Sequence, residues 1–226
     1  MKIDKNNRSL VNILGAPLTI FCIYYSQVTF TFFISIILFF SFYEFINLLK
    51  NKSKNNFKNI FMGFLWISSL SSFILLYEKY SSNIIFIIFI SIWVTDSMAF
   101  IMGKNFGRRK ILPSISPNKT WMGSISGLAS TMIFLFYFYY NSSIISNMKI
   151  APFTASSFNH YDFIVISLII GFFSQFGDFF ESFFKRKLNV KDSSSLLLGH
   201  GGFLDRFDSF YFVGTALYFY LFFRGI

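Results

Sequence analysis

Asp178 and Glu181 stand three residues apart in this 226-residue chain, and Asp205 and Asp208 repeat that spacing. If each segment is helical, each pair shares a helix face. Four carboxylates gathered at one depth repel one another unless cations intervene, and hard oxygen ligands of this kind suit Mg²⁺ with its retained waters. The four are therefore expected to form a divalent-cation site, against a reading in which they pair with Lys185, Arg186 and Arg206 as a structural lattice. The chain has only ten acids, and six of them (Asp96, Asp178, Glu181, Asp192, Asp205, Asp208) crowd into or beside two polar regions, which marks those regions as the place to look.

Between the two acidic pairs runs the densest polar text in the chain: Ser182-Phe183-Phe184-Lys185-Arg186, then Lys191-Asp192, then Gly199-His200-Gly201-Gly202-Phe203-Leu204-Asp205-Arg206-Phe207-Asp208. Lys185, Arg186, Lys191 and Arg206 could clamp phosphate oxygens, the arginines by bidentate contacts and the lysines as point charges. Gly199, Gly201 and Gly202 would let backbone approach a polyphosphate closely. A basic loop alone could equally be a topology signal or an anionic-lipid contact. The interleaved carboxylates favour a site, because they would weaken attraction to an anionic surface. His200 is flanked by glycines, with no second His or Cys near it to complete a zinc set, so it is open to phosphate contact, proton transfer or a structural hydrogen bond.

A second element, Gly103-Lys104-Asn105-Phe106-Gly107-Arg108-Arg109-Lys110, leads into Ser116-Pro117-Asn118-Lys119-Thr120-Trp121. Pro117 keeps this loop from running helically, so Asn118, Lys119 and Thr120 fall where the next helix begins. A helix N-terminus with a lysine is suited to anions. Upstream, Asp96 lies inside an apolar run, about two turns from its polar end. An ionised carboxylate there costs on the order of 2.5–3.5 kcal/mol, so it is expected to face a polar cleft and to have a partner.

The elements that must position these groups are membrane helices. More than half of the chain is hydrophobic, at 54%, and charged residues make up 13%, which excludes an ordinary soluble domain. Apolar runs of about 20 residues, the length that crosses a bilayer, fall at 9–26, 28–48, 60–77, 83–102, 121–140, 162–181 and 208–224. An all-α polytopic bundle of about seven spans is predicted, a single membrane domain with scaffold spans in 1–80 and catalytic spans and loops in 83–224. The stretch after Arg8, with its basic start and apolar run, could mimic a signal peptide, but no small-residue cleavage site precedes the next span, so it is expected to be retained. The serines at 68, 69, 71 and 72 are expected to serve packing, as are Gly123 and Gly127. Segment 141–161, with Pro152, is expected to be a surface loop.

Charge sets the expected orientation. The N-terminus and the loops 49–59, 103–120 and 182–207 hold 3, 4, 5 and 5 Lys/Arg, and the opposite side holds only Lys79, Lys149 and Arg224. The excess marks the cytosolic side, so the N-terminus and both polar elements are expected there. The net charge of +10 is cut up by spans and not laid along one soluble face, which argues against a nucleic-acid partner. Cys22 is the single cysteine and sits in the first apolar run, so neither an intrachain disulfide nor a thiol-metal cluster is available.

The spaced residues Ser182-x-Phe184-Lys185-Arg186, Lys191-Asp192 and His200-Gly201-Gly202-Phe203-x-Asp205-Arg206-Phe207-Asp208 resemble the motif of the phosphatidate cytidylyltransferase family, also called CDP-diglyceride synthases. The likeness extends through Gly177-Asp178, Ser116-Pro117-Asn118-Lys119-Thr120-Trp121 and Asp96-Ser97, and so covers most of residues 93–210. Leu198 departs from it, standing where the family usually has Pro or Gly. The resemblance implies transfer of a cytidylyl group from CTP to phosphatidic acid, giving CDP-diacylglycerol and pyrophosphate. It implies Mg²⁺ held by Asp178 and Asp208 with Asp205 and Glu181 in or near the shell, and leaves room for a second cation and a homodimer. Lys185, Arg186, Lys191 and Arg206 would steady the phosphates, Asp192 and His200 would belong to the catalytic set, and Asp96, Ser116, Asn118, Lys119, Thr120, Ser182, Gly201 and Gly202 would contact substrate. The site would open to the cytosolic face of a bacterial-type inner membrane, among membrane lipids. Two other classes fit parts of the pattern: a CTP-dependent lipid kinase of the polyprenol or phytol type, and a cation-coupled transporter.

Overall fold

A computed structural model describes residues 5–51, 57–141, 158–194, 196–197 and 201–225. His200, Gly199 and Leu198 lie outside the described residues, as does most of segment 141–161. The helices are α1 (Lys5–Tyr25), α2 (Gln27–Asn51), α3 (Phe57–Ser68), α4 (Ser72–Lys79), α5 (Ser82–Phe106), α6 (Trp121–Tyr140), α7 (His160–Lys187), α8 (Leu204–Phe207) and α9 (Tyr211–Arg224). Among the described residues the nearest approach to a strand is an isolated bridge between Lys110 and Thr120. The all-α membrane bundle expected from composition is what the chain forms.

Among the described residues, five segments are long and apolar enough to cross a membrane: Gln27–Lys50, Phe57–Lys79, Ser82–Phe106, Trp121–Tyr140 and His160–Lys187. The first and last of the seven predicted runs are shorter. Leu14–Tyr25 is the apolar part of α1, and α9 has 14 residues, about 21 Å of helix against a hydrocarbon core of about 30 Å. The second crossing segment is built from α3 and α4, joined by a 3-10 turn at Ser69–Ser71. The serine hydroxyls are used locally there, Ser71 donating to the Ser68 carbonyl at 2.7 Å and Ser72 to that of Ser69 at 2.6 Å. Ser69 reaches the Tyr211 carbonyl and so fastens α9 to the turn.

Lipid tails are as apolar as the side chains they touch, so helices here associate by close packing and by hydrogen bonds between them. α5 and α6 pack where Gly123 lies against the Ala99 carbonyl and the Gly103 backbone, and Gly127 against the Thr95 carbonyl. Thr95 and Thr131 pair their hydroxyls across the same seam. Gly171 of α7 fits against Leu128 of α6. On the other side of α7, Trp66, Phe180 and Tyr211 meet edge to face, with ring centroids 5.1 and 5.2 Å from the indole. Tyr211 is fully buried and shares a 2.7 Å hydrogen bond with Ser41 of α2. These contacts fix α7 rotationally, with one face toward α5 and α6 and the other toward the aromatic core.

Candidate active site

The C-terminal half of α7 delivers Asp178 and Glu181, and the turn between α8 and α9 delivers Asp208. One carboxylate oxygen from each lies within 4.8 Å of the other two. Asp208 gets there because residue 177 is glycine: a Cβ at that position would run into the Asp208 backbone carbonyl. The Ser209 amide donates to Asp208 at 2.8 Å and its hydroxyl donates to the same carboxylate at 3.5 Å. Asp96 of α5 is near enough to Asp178 and Asp208 for their charges to act on one another. Ser182 donates to Asp178 at 3.5 Å. One oxygen of Glu181, Oε1, is buried without a hydrogen-bond partner. Three converging carboxylates, one with an unsatisfied buried oxygen, are a donor set that a hard divalent cation fits.

Asp178 pairs with Lys119, which also lies 4.3 Å from the Phe179 ring centroid. Lys119 is held at the entry to α6 by the loop before it. The Trp121 amide donates to the Arg109 carbonyl at 3.1 Å, the Ile111 amide to the Lys119 carbonyl at 3.2 Å, and the Thr120 side chain caps α6 by accepting from the Gly123 amide at 3.2 Å. Pro117 and Asn118 lie in a turn and Thr120 caps the helix, so the start of α6 falls where their spacing predicts. The loop, α5, α6 and α7 enclose a cavity of about 690 Å³. Lys104, Lys110 and Lys119 supply its positive charge and Asp96 and Asp178 its negative charge, with Ser116, Asn118, Thr120 and Gln175 also on the wall. Cations and acids thus share one chamber, opening beside the three-carboxylate cluster.

Asp205 does not join that cluster. It accepts from Lys185 at 2.8 Å, from the Ser193 amide at 2.9 Å and hydroxyl at 2.9 Å, and from the Gly202 amide at 2.7 Å. Burial alone would raise its carboxyl, but the Lys185 ammonium and the Gly202 N–H beside it outweigh that and hold the group at about 2. Lys185 in turn pairs with Glu181 at 2.7 Å, so it bridges the loop carboxylate to the cluster. Gly201 has φ of +80°, a left-handed conformation suited to glycine, and a Cβ there would strike the Asp205 carboxylate.

The remaining basic residues are placed away from the cavity wall. Arg186 donates through Nε to the Ile115 carbonyl and through Nη1 to that of Val190, both at 3.2 Å, so it ties the loop before α6 to the end of α7. Just past the end of α7 at Lys187, Asn189 lies in the left-handed region with φ of 54°, and the Val190 amide turns back to the Lys185 carbonyl at 3.0 Å. Lys191 and Asp192 are exposed on the following loop, and Arg206 is exposed on α8.

Two residues of this region escaped the sequence reading. Gln175, one turn before Asp178, donates to the Ser124 and Gly171 carbonyls at 3.0 and 2.9 Å and lines the cavity; an amide three residues before an acid in an apolar helix was its signal. Glu44 of α2 is 1% exposed and accepts four hydrogen bonds from the 193–204 loop. A lone acid at the end of a Phe/Ile-rich run was the only trace of it.

Residues 55–224 match the model of the cytidylyltransferase family. The chain belongs to that family. The match takes in every charged residue of the cavity and of the cluster, and leaves Glu44 outside. Curated relatives named phosphatidate cytidylyltransferase include one from Bacillus subtilis, 40% identical over 144 residues, which are 64% of this chain and 49% of the relative. One from Staphylococcus aureus strain COL is 39% identical over 166 residues, 71% and 59% of the two chains. One from Haemophilus influenzae is 40% identical over 124 residues, 54% and 40% of the two. The chain spans about half the length of these relatives.

Proposed function

We propose that this protein is a phosphatidate cytidylyltransferase, joining the cytidylyl group of CTP to phosphatidic acid with release of pyrophosphate. The observation that carries the proposal is the meeting of Asp178, Glu181 and Asp208 beside a lysine-lined cavity, in a chain of the cytidylyltransferase family. Named relatives at about 40% identity point the same way.

Nucleotidyl transfer depends chiefly on positioning and on neutralising phosphate charge. A phosphate oxygen of the lipid attacks the α-phosphorus of CTP, and the bond to the pyrophosphate oxygen breaks. The attacking oxygen is already ionised at neutral pH, so no general base is required. Asp178, Glu181 and Asp208 would hold Mg²⁺, which when bound would supply charge neutralisation to the phosphate oxygens. Lys119, Lys104 and Lys110 meet the triphosphate as point charges, with Ser116 and Asn118 as hydrogen-bonding groups at the same wall. Lys119 is also the counter-charge of Asp178. Lys185 keeps Glu181 aimed at the cluster while Asp205 fixes Lys185. The charge bias of the loops supports a cytosolic mouth, where CTP is available and phosphatidic acid can enter sideways from the leaflet.

The test is a mixed-micelle assay with purified protein, phosphatidic acid, Mg²⁺ and CTP labelled at the α-phosphorus. Chelator-sensitive label in the organic phase is the expected result. Entry of γ-label into lipid in its place would identify a CTP-dependent kinase, and transfer of neither would remove the enzymatic reading.

A further inference from the structure

We propose that Glu44 is a positioning residue for the cation cluster, acting through the loop that follows α7. The proposal rests on the cytidylyltransferase reading for its chemistry, but its geometry stands alone. Glu44 Oε2 accepts from the Ser193 hydroxyl at 3.1 Å and the Leu204 amide at 3.0 Å, and Oε1 from the Ser194 hydroxyl at 2.7 Å and the Phe203 amide at 3.0 Å. The carboxylate therefore joins Ser193 and Ser194, in the loop after α7, to Phe203 and Leu204 at the entry to α8. Its helix contributes none of the three clustered carboxylates.

The linkage from Glu44 to the cluster is continuous. Ser193 also bonds Asp205 through its amide and its hydroxyl. Asp205 holds Lys185, and Lys185 holds Glu181, one of the three clustered carboxylates. Phe203, anchored by Glu44, stacks on Phe40 one turn earlier in α2, with ring centroids 4.9 Å apart. Gly202 is glycine because a Cβ there would collide with the Glu44 carboxylate and the Ser193 hydroxyl. Four donors converging on one buried carboxylate leave no spare group, so Glu44 is not itself a ligand. Its charge organises the donors that orient Asp205, and through it the register of Lys185 and Glu181. Outer-shell groups of this kind typically change cation affinity about 10–100-fold when lost.

The test is Mn²⁺ binding to the purified full chain in detergent, followed by electron paramagnetic resonance, with thermal melting and the label-transfer assay run on the same samples. Glu44→Gln keeps the size of the side chain but presents an NH₂ to donors. It is expected to raise the Mn²⁺ Kd about 10-fold or more, whereas Asp162→Asn, which disrupts an equally buried carboxylate at the far end of α7, leaves Kd unchanged. An unchanged Kd in a folded Glu44→Gln variant overturns the proposal, as does an equal shift in Asp162→Asn, which would mean general loosening. Where Glu44→Gln does not fold, Ser194→Ala removes a single donor and is expected to shift Kd by about 3-fold; no shift overturns the proposal. A wild type that binds no Mn²⁺ overturns it too. If Kd shifts as expected but wild type moves no label from CTP to lipid, the positioning role stands and the transferase reading falls.

Discussion

Helix α7 carries buried acids at both ends, and their surroundings treat them in opposite ways. Asp162 lies in its first turn and Asp178 sixteen residues later (178 − 162), roughly 24 Å along the axis. Asp162 is 1% exposed and closed off: the Asn159 amide donates to it at 2.8 Å, Tyr220 at 2.6 Å and Arg224 at 3.0 Å. At the other end three carboxylates converge, and an oxygen of Glu181 has no partner at all. A carboxylate whose hydrogen bonds are complete stabilises the fold and has nothing to offer a ligand. A cluster with more negative charge than its lysines balance stores repulsion that an added cation relieves.

The contrast can be broken by substitution, beginning at the cluster. Asp208→Asn should abolish turnover in the label-transfer assay while circular dichroism and melting stay as in wild type; normal activity in that folded variant would sink the assignment of Asp208 to the cation site. Lys119→Ala removes both the partner of Asp178 and a cavity charge, and should lower kcat/KM on the order of 100–1,000-fold. Gly177→Ala should push the Asp208 backbone away without deleting any charge, costing about 100-fold in kcat. Addition of Mg²⁺ up to saturation should not restore it, because the carboxylate is displaced and not merely weakened. At the far end, Asp162→Asn should lower stability by about 1–3 kcal/mol, read from the melting midpoint, with kcat within about 2-fold of wild type. A large loss of activity in Asp162→Asn would erase the distinction between the two ends.

The same comparison shows how far local spacing carries. Asp178 and Glu181 are three apart on a continuous helix, and both reach the cluster. Asp205 and Asp208 have the same spacing, but α8 ends at Phe207 and their carboxylates go to different partners, Asp205 to Lys185, Ser193 and Gly202, and Asp208 to the cluster. Arg186 looked like a phosphate clamp by type and position, yet its guanidinium ties two loops together through backbone carbonyls. The serine run at 68–72 looked like packing and is packing, because hydroxyls in an apolar helix have their own carbonyls within reach.

The sequence by itself determined the class of the molecule and where its polar groups gather. Apolar runs of membrane length and a shortage of charge dictate helices, since backbone groups in lipid must bond internally. Acids and lysines kept in such a chain against that cost mark a polar site, and Pro117 with Thr120 sets where α6 begins. Only the tertiary structure decided which carboxylates meet and what holds them there. Glu44 and Ser193 are 149 positions apart, and no local period connects them. Their contact follows from how α2, α7 and the loop before α9 pack, and that packing turns on close approaches such as the one at Gly177.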